Sequence, residues 1–190
     1  RIFSDAEMWT LKMIGDQAAI AIENARLHKV ISEQALTDSL TSLPNRRSFD
    51  QHLEDEVQRA RLLEQYFILV IMDLNGFKMV NDTLGHPAGD RVLQQVAICL
   101  QQNIRDKDFL ARYGGDEFCL ILPQTTLVTA EGLLKRLNKA LEECPTGFPE
   151  HWIQPLSACV GIAIFPEDGS NATDLVREAD LRLYENKRKK

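Results

Sequence analysis

A nearly continuous run of apolar residues marks the first strand of the predicted fold. The run spans residues 66–72 and ends at Asp73. Its length is that of a strand, and its lack of alternating polar positions is typical of a strand covered on both faces. We therefore predict a central strand at 66–72 with an acidic side chain at its carboxyl end.

The remaining apolar patterns predict four helices and three further strands around it. Three-four spacing of apolar positions predicts helices at 46–63, 90–103, 128–143 and 173 to the end. Short apolar runs predict strands at 109–113, 118–122 and 156–165. The order strand, helix, strand, strand, helix, strand predicts an α+β fold of the ferredoxin-like kind, with a mostly antiparallel central sheet flanked by helices.

A separate long helix is predicted ahead of this core, over residues 8–36. Its stripe of small and apolar residues consists of Ile14, Ala18, Ala21, Ala25 and His28, continued weakly by Ser32 and Ala35. This spacing suits a helix that packs along a partner helix. An ordinary amphipathic helix lying on its own domain is the alternative.

Composition and charge narrow the class of protein. The chain has 190 residues, of which 44% are hydrophobic, enough for one domain with its own core plus an appendage. Its net charge of −6 argues against a protein that binds nucleic acid polymers, which would carry a basic face. A nucleotide substrate remains compatible, because a bound metal and a few local cations can offset its phosphates.

The sequence also indicates a cytoplasmic setting. Its four cysteines have no metal-ligand spacing, and we expect buried free thiols in a reducing cytosol. We see neither a signal peptide nor an apolar run long enough to cross a bilayer, so no membrane contact is expected from this segment. The chain begins at Arg1, and we expect it to belong to a longer protein.

Acidic residues at the ends of predicted strands are the first candidates for chemistry. Asp73 ends the central strand, and Asp116-Glu117 follow a Gly114-Gly115 hairpin signal. Carboxylates that converge at one sheet edge repel one another unless a cation lies between them, and hard oxygen ligands suit Mg²⁺. Glycines lack Cβ and let the backbone approach a ligand, although two glycines alone more often form a plain turn.

The segment after Asp73 adds groups suited to a purine nucleotide. Lys78 can neutralise phosphate charge. Asn81 and Asp90 offer amide and carboxylate groups that match the guanine edge. The alternative is that Asn81 and Asp90 are turn and helix-cap residues. His86 alone is more often structural than catalytic.

Three separated motifs, in this order, resemble the GGDEF family of diguanylate cyclases. They are residues 38–47 (Asp-Ser-Leu-Thr-Ser-Leu-Pro-Asn-Arg-Arg), residues 73–90, and residues 112–118 (Arg-Tyr-Gly-Gly-Asp-Glu-Phe). Further matches are Ala179-Asp180 and Leu183-Tyr184. The resemblance covers residues 36–190 and implies a fold like that of adenylyl cyclases and polymerase palms.

The resemblance also implies roles for individual residues. Asp73, Asp116 and the Leu74 carbonyl would hold Mg²⁺, with Mn²⁺ as an alternative and Glu117 assisting. Asp116 would also accept the proton of the ribose 3′-hydroxyl, and Lys78 would stabilise the transition state. The implied substrate-binding residues are Asn81, His86, Asp90, Gly114, Gly115 and Lys187. Asn186 departs from the family's usual alanine, and the C-terminal phosphate contacts depend on Lys187.

A second ligand site is implied upstream of the hairpin. Arg105 and Asp108 resemble the family's inhibitory Arg-x-x-Asp product site, and Arg136 falls where an auxiliary arginine sometimes lies. Arg can grip guanine O6 and N7 with two parallel bonds, and Asp can accept from its N–H groups. Taken as residue types alone, these residues are a charged loop.

The function implied is the condensation of two GTP molecules into cyclic di-GMP by a homodimer of a bacterial signalling protein. Residues 16–27 resemble the closing helix of a GAF sensory domain, so residues 1–35 are expected to form that helix and a dimerising linker. The alternatives are a degenerate receptor that binds cyclic di-GMP without making it, and a different nucleotidyl transferase on the same fold.

Overall fold

The structure is a computed structural model that describes residues 5–34, 36–144 and 155–189. The chain divides into two compact units, Arg1–Ala35 and Leu36–Lys190. Helix α1 (Asp5–Gln34) belongs to the first unit. The elements of the second are α2 (Arg46–Leu62), β1 (Phe67–Leu74), α3 (Phe77–Leu84), α4 (His86–Gln102), β2 (Phe109–Gly114), β3 (Glu117–Pro123), α5 (Leu127–Glu142), β4 (Ala158–Phe165) and α6 (Ala172–Arg188).

The four strands form one antiparallel sheet in the order β2-β3-β1-β4. This is the ferredoxin-like order, and the α+β prediction is confirmed. Strand β1 lies inside the sheet, and its residues from Phe67 to Met72 are fully buried. A strand covered on both faces has no need of alternating polar residues, which explains the unbroken apolar run.

Alternate residues of β1 face two separate hydrophobic cores. Ile68, Val70 and Met72 pack in the core that contains α3, α4 and α5. Phe67, Leu69 and Ile71 pack in the core that contains α2 and α6. The helices therefore cover both faces of the sheet and leave the strand ends accessible for polar chemistry.

The helix boundaries follow local signals. The side chains of Asn45, Thr126 and Asn171 accept N-cap hydrogen bonds at the starts of α2, α5 and α6. The prediction for the segment after β1 was incomplete, because α3 was missed and α4 begins at His86 rather than at residue 90. Gly85, with φ +81°, turns the chain between these two helices.

Helix α1 carries large hydrophobic side chains that are exposed. Ile14, Ile20 and Ile22 are 61%, 62% and 69% exposed. The side chains of Ala25, His28 and Ser32, and residue Ala35 as a whole, lie outside the described residues, so packing along the predicted stripe stays a prediction. None of the helices in the described part of the chain is long and apolar enough to span a bilayer.

The four cysteines are free thiols, as predicted, but only two of them are buried. Cys119 and Cys159 are buried, whereas Cys99 and Cys144 are half-buried. Burial, followed by the neighbouring Cys99, raises the pKa of Cys144 to about 11, so this thiol stays protonated at neutral pH.

Candidate active site

The predicted acidic residues meet at one edge of the sheet. Asp73, near the end of β1, lies opposite Glu117, the first residue of β3. The backbone N–H of Leu74 donates to the carbonyl of Asp116 at 3.3 Å. The pairing of β1 with β3 therefore brings carboxylates from two distant sequence motifs to the same edge.

The hairpin between β2 and β3 presents Asp116 at its tip. Gly114 pairs with Glu117, so the two central turn residues are Gly115 and Asp116. The turn thus lies one residue later than the Gly-Gly signal indicated. Gly115 has φ +51°, in the left-handed region that favours glycine, and a Cβ there would meet nothing within 4 Å. The backbone conformation, rather than close packing within the domain, therefore explains this glycine.

Arg112 holds the turn in place. Its Nε and Nη2 donate to the carbonyl of Gly115 at 3.0 and 2.8 Å, and its Nη1 donates to Asp38 Oδ1 at 2.9 Å. Burial raises the pKa of Asp38, but hydrogen bonds from Thr41 and Arg112 outweigh burial and leave that pKa below its ordinary value. Sequence reasoning quoted both Arg112 and Asp38 in motifs but missed this contact, which joins residues far apart in the chain.

Lys187 contacts the predicted metal-ligand set directly. Its Nζ lies 2.6 Å from Asp73 Oδ2. Burial and then the negative charge of Asp73 raise the pKa of Asp116, and the same two causes, in that order, raise the pKa of Glu117. Lys187 acts in the opposite direction on both groups. The edge is therefore a site of excess negative charge, partly compensated by a lysine of α6.

The donor set fits a hard divalent cation. In the described ranges, no three acidic, histidine or cysteine side chains lie close enough together to hold a metal ion. The oxygen donors nevertheless have the chemistry that Mg²⁺ prefers, and a cationic ammonium group already lies against Asp73. Asp73, Asp116 and the Leu74 carbonyl are the groups that would hold the ion, with Glu117 beside them.

Four of the residues predicted to contact GTP lie on the two helices that follow β1. Lys78 and Asn81 are in α3, and His86 and Asp90 are in the first turn and a half of α4. Asn81 is half-buried, and the other three are exposed. Helix α3 starts after Gly76, which has φ +75°.

Asn75, which sequence reasoning did not single out, fixes the end of β1. Its backbone N–H donates to the Ser157 carbonyl at 2.8 Å, and its side-chain amide donates to Ser157 Oγ at 2.8 Å. These bonds tie the end of β1 to the residue that precedes β4.

The predicted product site is a turn between α4 and β2. Asp108 N–H donates to the Arg105 carbonyl at 2.9 Å, and Arg105 N–H donates to Asp108 Oδ2 at 3.0 Å. Asp108 Oδ1 is buried and has no hydrogen-bond partner among the described residues. Arg136 Nη2 donates to the carbonyl of Asn103 at 2.8 Å, two residues before Arg105. The structure therefore brings all three predicted residues to one region.

A cavity of about 290 Å³ opens beside this turn. Its lining includes Leu43, Pro44, Gln101, Ile104, Arg105, Asp106, Asp108, Phe109 and Leu110. The lining therefore combines charged and amide side chains with apolar ones, a mixture that suits a planar base with hydrogen-bonding edges.

Comparisons with known proteins agree with this geometry. The sequence pattern of the family described as "Diguanylate cyclase, GGDEF domain" matches residues 35–190. Diguanylate cyclase DgcP of Pseudomonas aeruginosa is 41% identical over 157 residues, which are 82% of this chain and 23% of DgcP. The chain spans about a quarter of the length of the first curated relatives it matches.

Solved structures show the same fold. Diguanylate cyclase SiaD of Pseudomonas aeruginosa, in complex with its activator SiaC, matches with a TM-score of 0.75 and 32% identity, covering 96% of this chain and 68% of SiaD. The coiled coil and GGDEF domain of DgcB from Caulobacter crescentus, in complex with c-di-GMP, match with a TM-score of 0.73 and 26% identity, covering 95% of each chain. The fold, the motifs and the matched pattern agree, and this chain belongs to the GGDEF family of diguanylate cyclases.

Proposed function

We propose that this chain contains a catalytic domain that joins two GTP molecules into cyclic di-GMP and releases two pyrophosphates. The observation that carries the proposal is the gathering of Asp73, Asp116 and Glu117 at one sheet edge, where Lys187 compensates part of their charge. A protein that only binds the product has no need of this acidic edge, so its retention favours an enzyme over a degenerate receptor.

The chemistry is a phosphoryl transfer between two nucleotides. Asp116 accepts the proton of a ribose 3′-hydroxyl, the freed oxygen attacks the α-phosphorus of the other GTP, and the bond to pyrophosphate breaks. Lys78 stabilises charge on the phosphates. Mg²⁺, when bound at this edge, supplies further charge neutralisation and polarises the phosphorus.

The choice of guanine belongs to the two helices after β1. Asn81 and Asp90 present an amide and a carboxylate to the base, and His86 lines the same site. Lys187 would exchange its contact with Asp73 for a phosphate oxygen when GTP enters. The close backbone approach allowed by Gly114 and Gly115 suits the triphosphate.

One domain supplies half of the reaction. Two bonds must form, each from the 3′-oxygen of one GTP to the α-phosphorus of the other, so two domains must face each other with antiparallel substrates. The exposed isoleucines of α1 suit a helix that pairs with its copy, as a dimerising linker after a GAF domain would.

Product binding at the turn of Arg105 and Asp108 would restrain the enzyme. The unpartnered Asp108 Oδ1 and the cavity beside it support a ligand with N–H donors. Arg136 of α5, whose guanidinium donates to the Asn103 carbonyl at the end of α4, adds a second guanidinium close by.

The first experiment is product analysis. The protein is incubated with Mg²⁺ and either GTP or ATP, and the nucleotides are separated by chromatography, with Asp116→Ala as control. Cyclic di-GMP from GTP alone, lost in the control, supports the proposal. Binding of cyclic di-GMP without any turnover of GTP would favour the receptor instead.

The second experiment tests the product site. Initial rates are measured with increasing cyclic di-GMP for the protein and for Arg105→Ala. Inhibition should weaken at least about tenfold in the variant, since a bidentate contact to guanine is lost. Equal inhibition of both proteins would contradict this assignment.

A further inference from the structure

Asn81, at the end of α3, lies against Gly89 in the first turns of α4. A Cβ built on Gly89 would come within 2.0 Å of Asn81 Oδ1 and 3.0 Å of Asn81 Cγ. The next atom it would meet is Phe77 Cζ at 3.2 Å. The half-buried carboxamide of Asn81 therefore fills the space that any other residue at position 89 would need.

The backbone does not require a glycine at this position. Gly89 lies within α4 and does not have a left-handed φ, whereas Gly85, four residues earlier, does. Glycine inside a helix is unfavourable relative to alanine because it loses more conformational freedom on folding. Space for the Asn81 carboxamide is the reason that the structure offers for this glycine.

The clash that a side chain would create falls on a movable group. Asn81 Oδ1 is the far end of a side chain with two rotatable bonds, so the carboxamide can swing away while α3 and α4 keep their packing. Gly161 provides the contrast, because a Cβ there would meet the backbone carbonyl oxygen of Ala179 at 1.9 Å. Substitution of Gly89 should therefore disturb the direction of one amide more than the fold.

We infer that Gly89 is a positioning residue for guanine binding: it leaves the space in which the Asn81 carboxamide is held toward the base. The inference rests on the proposed function and deepens it. Asp90 follows Gly89 directly, so the same turn of α4 presents the second guanine-binding group. Because the base is bound in both the ground state and the transition state, loss of this contact acts on KM rather than on kcat.

The test compares Gly89→Ala with the unchanged chain and with Gly132→Ala as matched control. Gly132, like Gly89, lies inside a helix, but it is exposed, and a Cβ there meets nothing within 4 Å. We expect Gly89→Ala to raise KM for GTP about tenfold with kcat within about twofold, as for loss of one hydrogen bond at a bound base. Gly132→Ala should leave both constants unchanged.

A double-variant cycle separates positioning from general damage. On an Asn81→Ala background the clashing oxygen is gone, so adding Gly89→Ala should not change KM further, and thermal stability should rise only as it does for Gly132→Ala. On that background, Gly89→Ala should also leave unchanged the Kd of a GTP analogue with a methylene bridge between the α- and β-phosphorus. An equal effect of Gly89→Ala with and without Asn81 would overturn the inference.

Failure of the inference differs from failure of the proposed function. If the unchanged chain binds and converts GTP but Gly89→Ala keeps its KM, only the positioning role is wrong. If the unchanged chain neither binds the analogue nor converts GTP, the proposed function fails and takes the inference with it. Should Gly89→Ala alone not fold, recovery of folding in the double variant supports the contact, and no recovery rejects it.

Discussion

At the scale of single residues, the acidic site formed by Asp73, Asp116 and Glu117 is defined by how its negative charge is compensated. Three carboxylates lie where β1 ends and β3 begins, and Lys187 reaches Asp73 from α6. The ammonium group offsets part of the repulsion between these carboxylates, and a metal ion bound as proposed would compete with it for the same oxygen of Asp73. Lys187 should therefore affect both metal binding and substrate binding, in opposite directions.

Replacing Lys187 with methionine tests this competition. The affinity for Mn²⁺, measured by the electron paramagnetic resonance signal of the free ion, should rise about three- to tenfold, because a nearby positive charge is removed from a half-exposed site. KM for GTP should rise because a phosphate contact is lost. Lys189→Met, with the same change of charge on an exposed neighbour, should alter neither. A lower Mn²⁺ affinity in Lys187→Met would contradict the competition.

The sequence allowed some of these residues to be predicted and hid others. Asp73 could be found because it ends an apolar run, and Asp116 because two acids follow a glycine pair. The bond from Arg112 to Asp38 could not be found, because it depends on how the segment before α2 folds against β2. A contact that depends on tertiary packing leaves no spacing pattern in the chain.

At the scale of elements, α6 protects the outer side of strand β4, a different part of the sheet from the acidic site. Among the described residues, strand β4 pairs with β1 on one side and with no strand on the other. On the other side, the Val160 and Ile162 carbonyls accept from Asn186 and Arg182, and the Ile164 N–H donates to Asp168. An edge whose backbone groups are occupied by side chains cannot pair readily with another chain. Asn186, which departs from the family pattern, thus has a structural role here.

Asp168 is the titratable residue among these side chains, and its contribution to the stability of the fold should depend on pH. Hydrogen bonds from Arg182 hold the pKa of Asp168 below its ordinary value. A carboxyl group with a lowered folded-state pKa stabilises the fold above the ordinary value and loses this effect as the pH falls through the lowered one.

We therefore expect Asp168→Asn to lower the free energy of unfolding by about 1.5–3 kcal/mol at pH 7, the usual effect of losing hydrogen bonds to a charged group. The difference should shrink below about pH 4, where the unfolded carboxyl group takes up its proton. Urea unfolding at a series of pH values measures it. A difference that stays constant down to pH 3 would show that charge is not the cause.

Gly161 explains how α6 comes close enough to reach that edge. A Cβ on Gly161 would lie 1.9 Å from the Ala179 carbonyl oxygen and 2.5 Å from the Leu183 nitrogen, both in the backbone of α6. Gly161→Ala should therefore displace the helix and destabilise the fold by about 3 kcal/mol, the upper part of the range for overpacking. Urea unfolding with Gly132→Ala as control measures the effect, and that control should gain about 0.5–1 kcal/mol. Equal stability of both variants would contradict the close approach.

The elements show the same limit of sequence reasoning. The strands and the long helices could be predicted from their apolar periods. Helix α3 was missed because only Val80 in it is buried, which leaves too little apolar pattern in eight residues. Its bounds are instead fixed by Gly76 and Gly85, whose positive φ values no apolar period reveals.

At the scale of the whole molecule, the proposed reaction places one nucleotide on each domain, while the ring requires two bonds. In the proposed reaction each domain activates only the 3′-hydroxyl of its own GTP. A dimer with one inactive domain therefore makes one of the two bonds, and the product is a linear dinucleotide that keeps its triphosphate. The ring closes only where both domains retain Asp116.

Mixing the active chain with Asp116→Ala at constant total concentration tests this division of labour. If subunits exchange freely, cyclic di-GMP formation should fall with the square of the active fraction, because two active domains must meet. Linear dinucleotide should increase over the same range and reach its maximum near equal amounts. The nucleotides are separated by anion-exchange chromatography after equilibration of the mixture, with an unrelated protein in place of the variant as control. A decrease in direct proportion to the active fraction, without linear product, would mean that each domain completes the reaction alone, and the half-site mechanism would then be wrong.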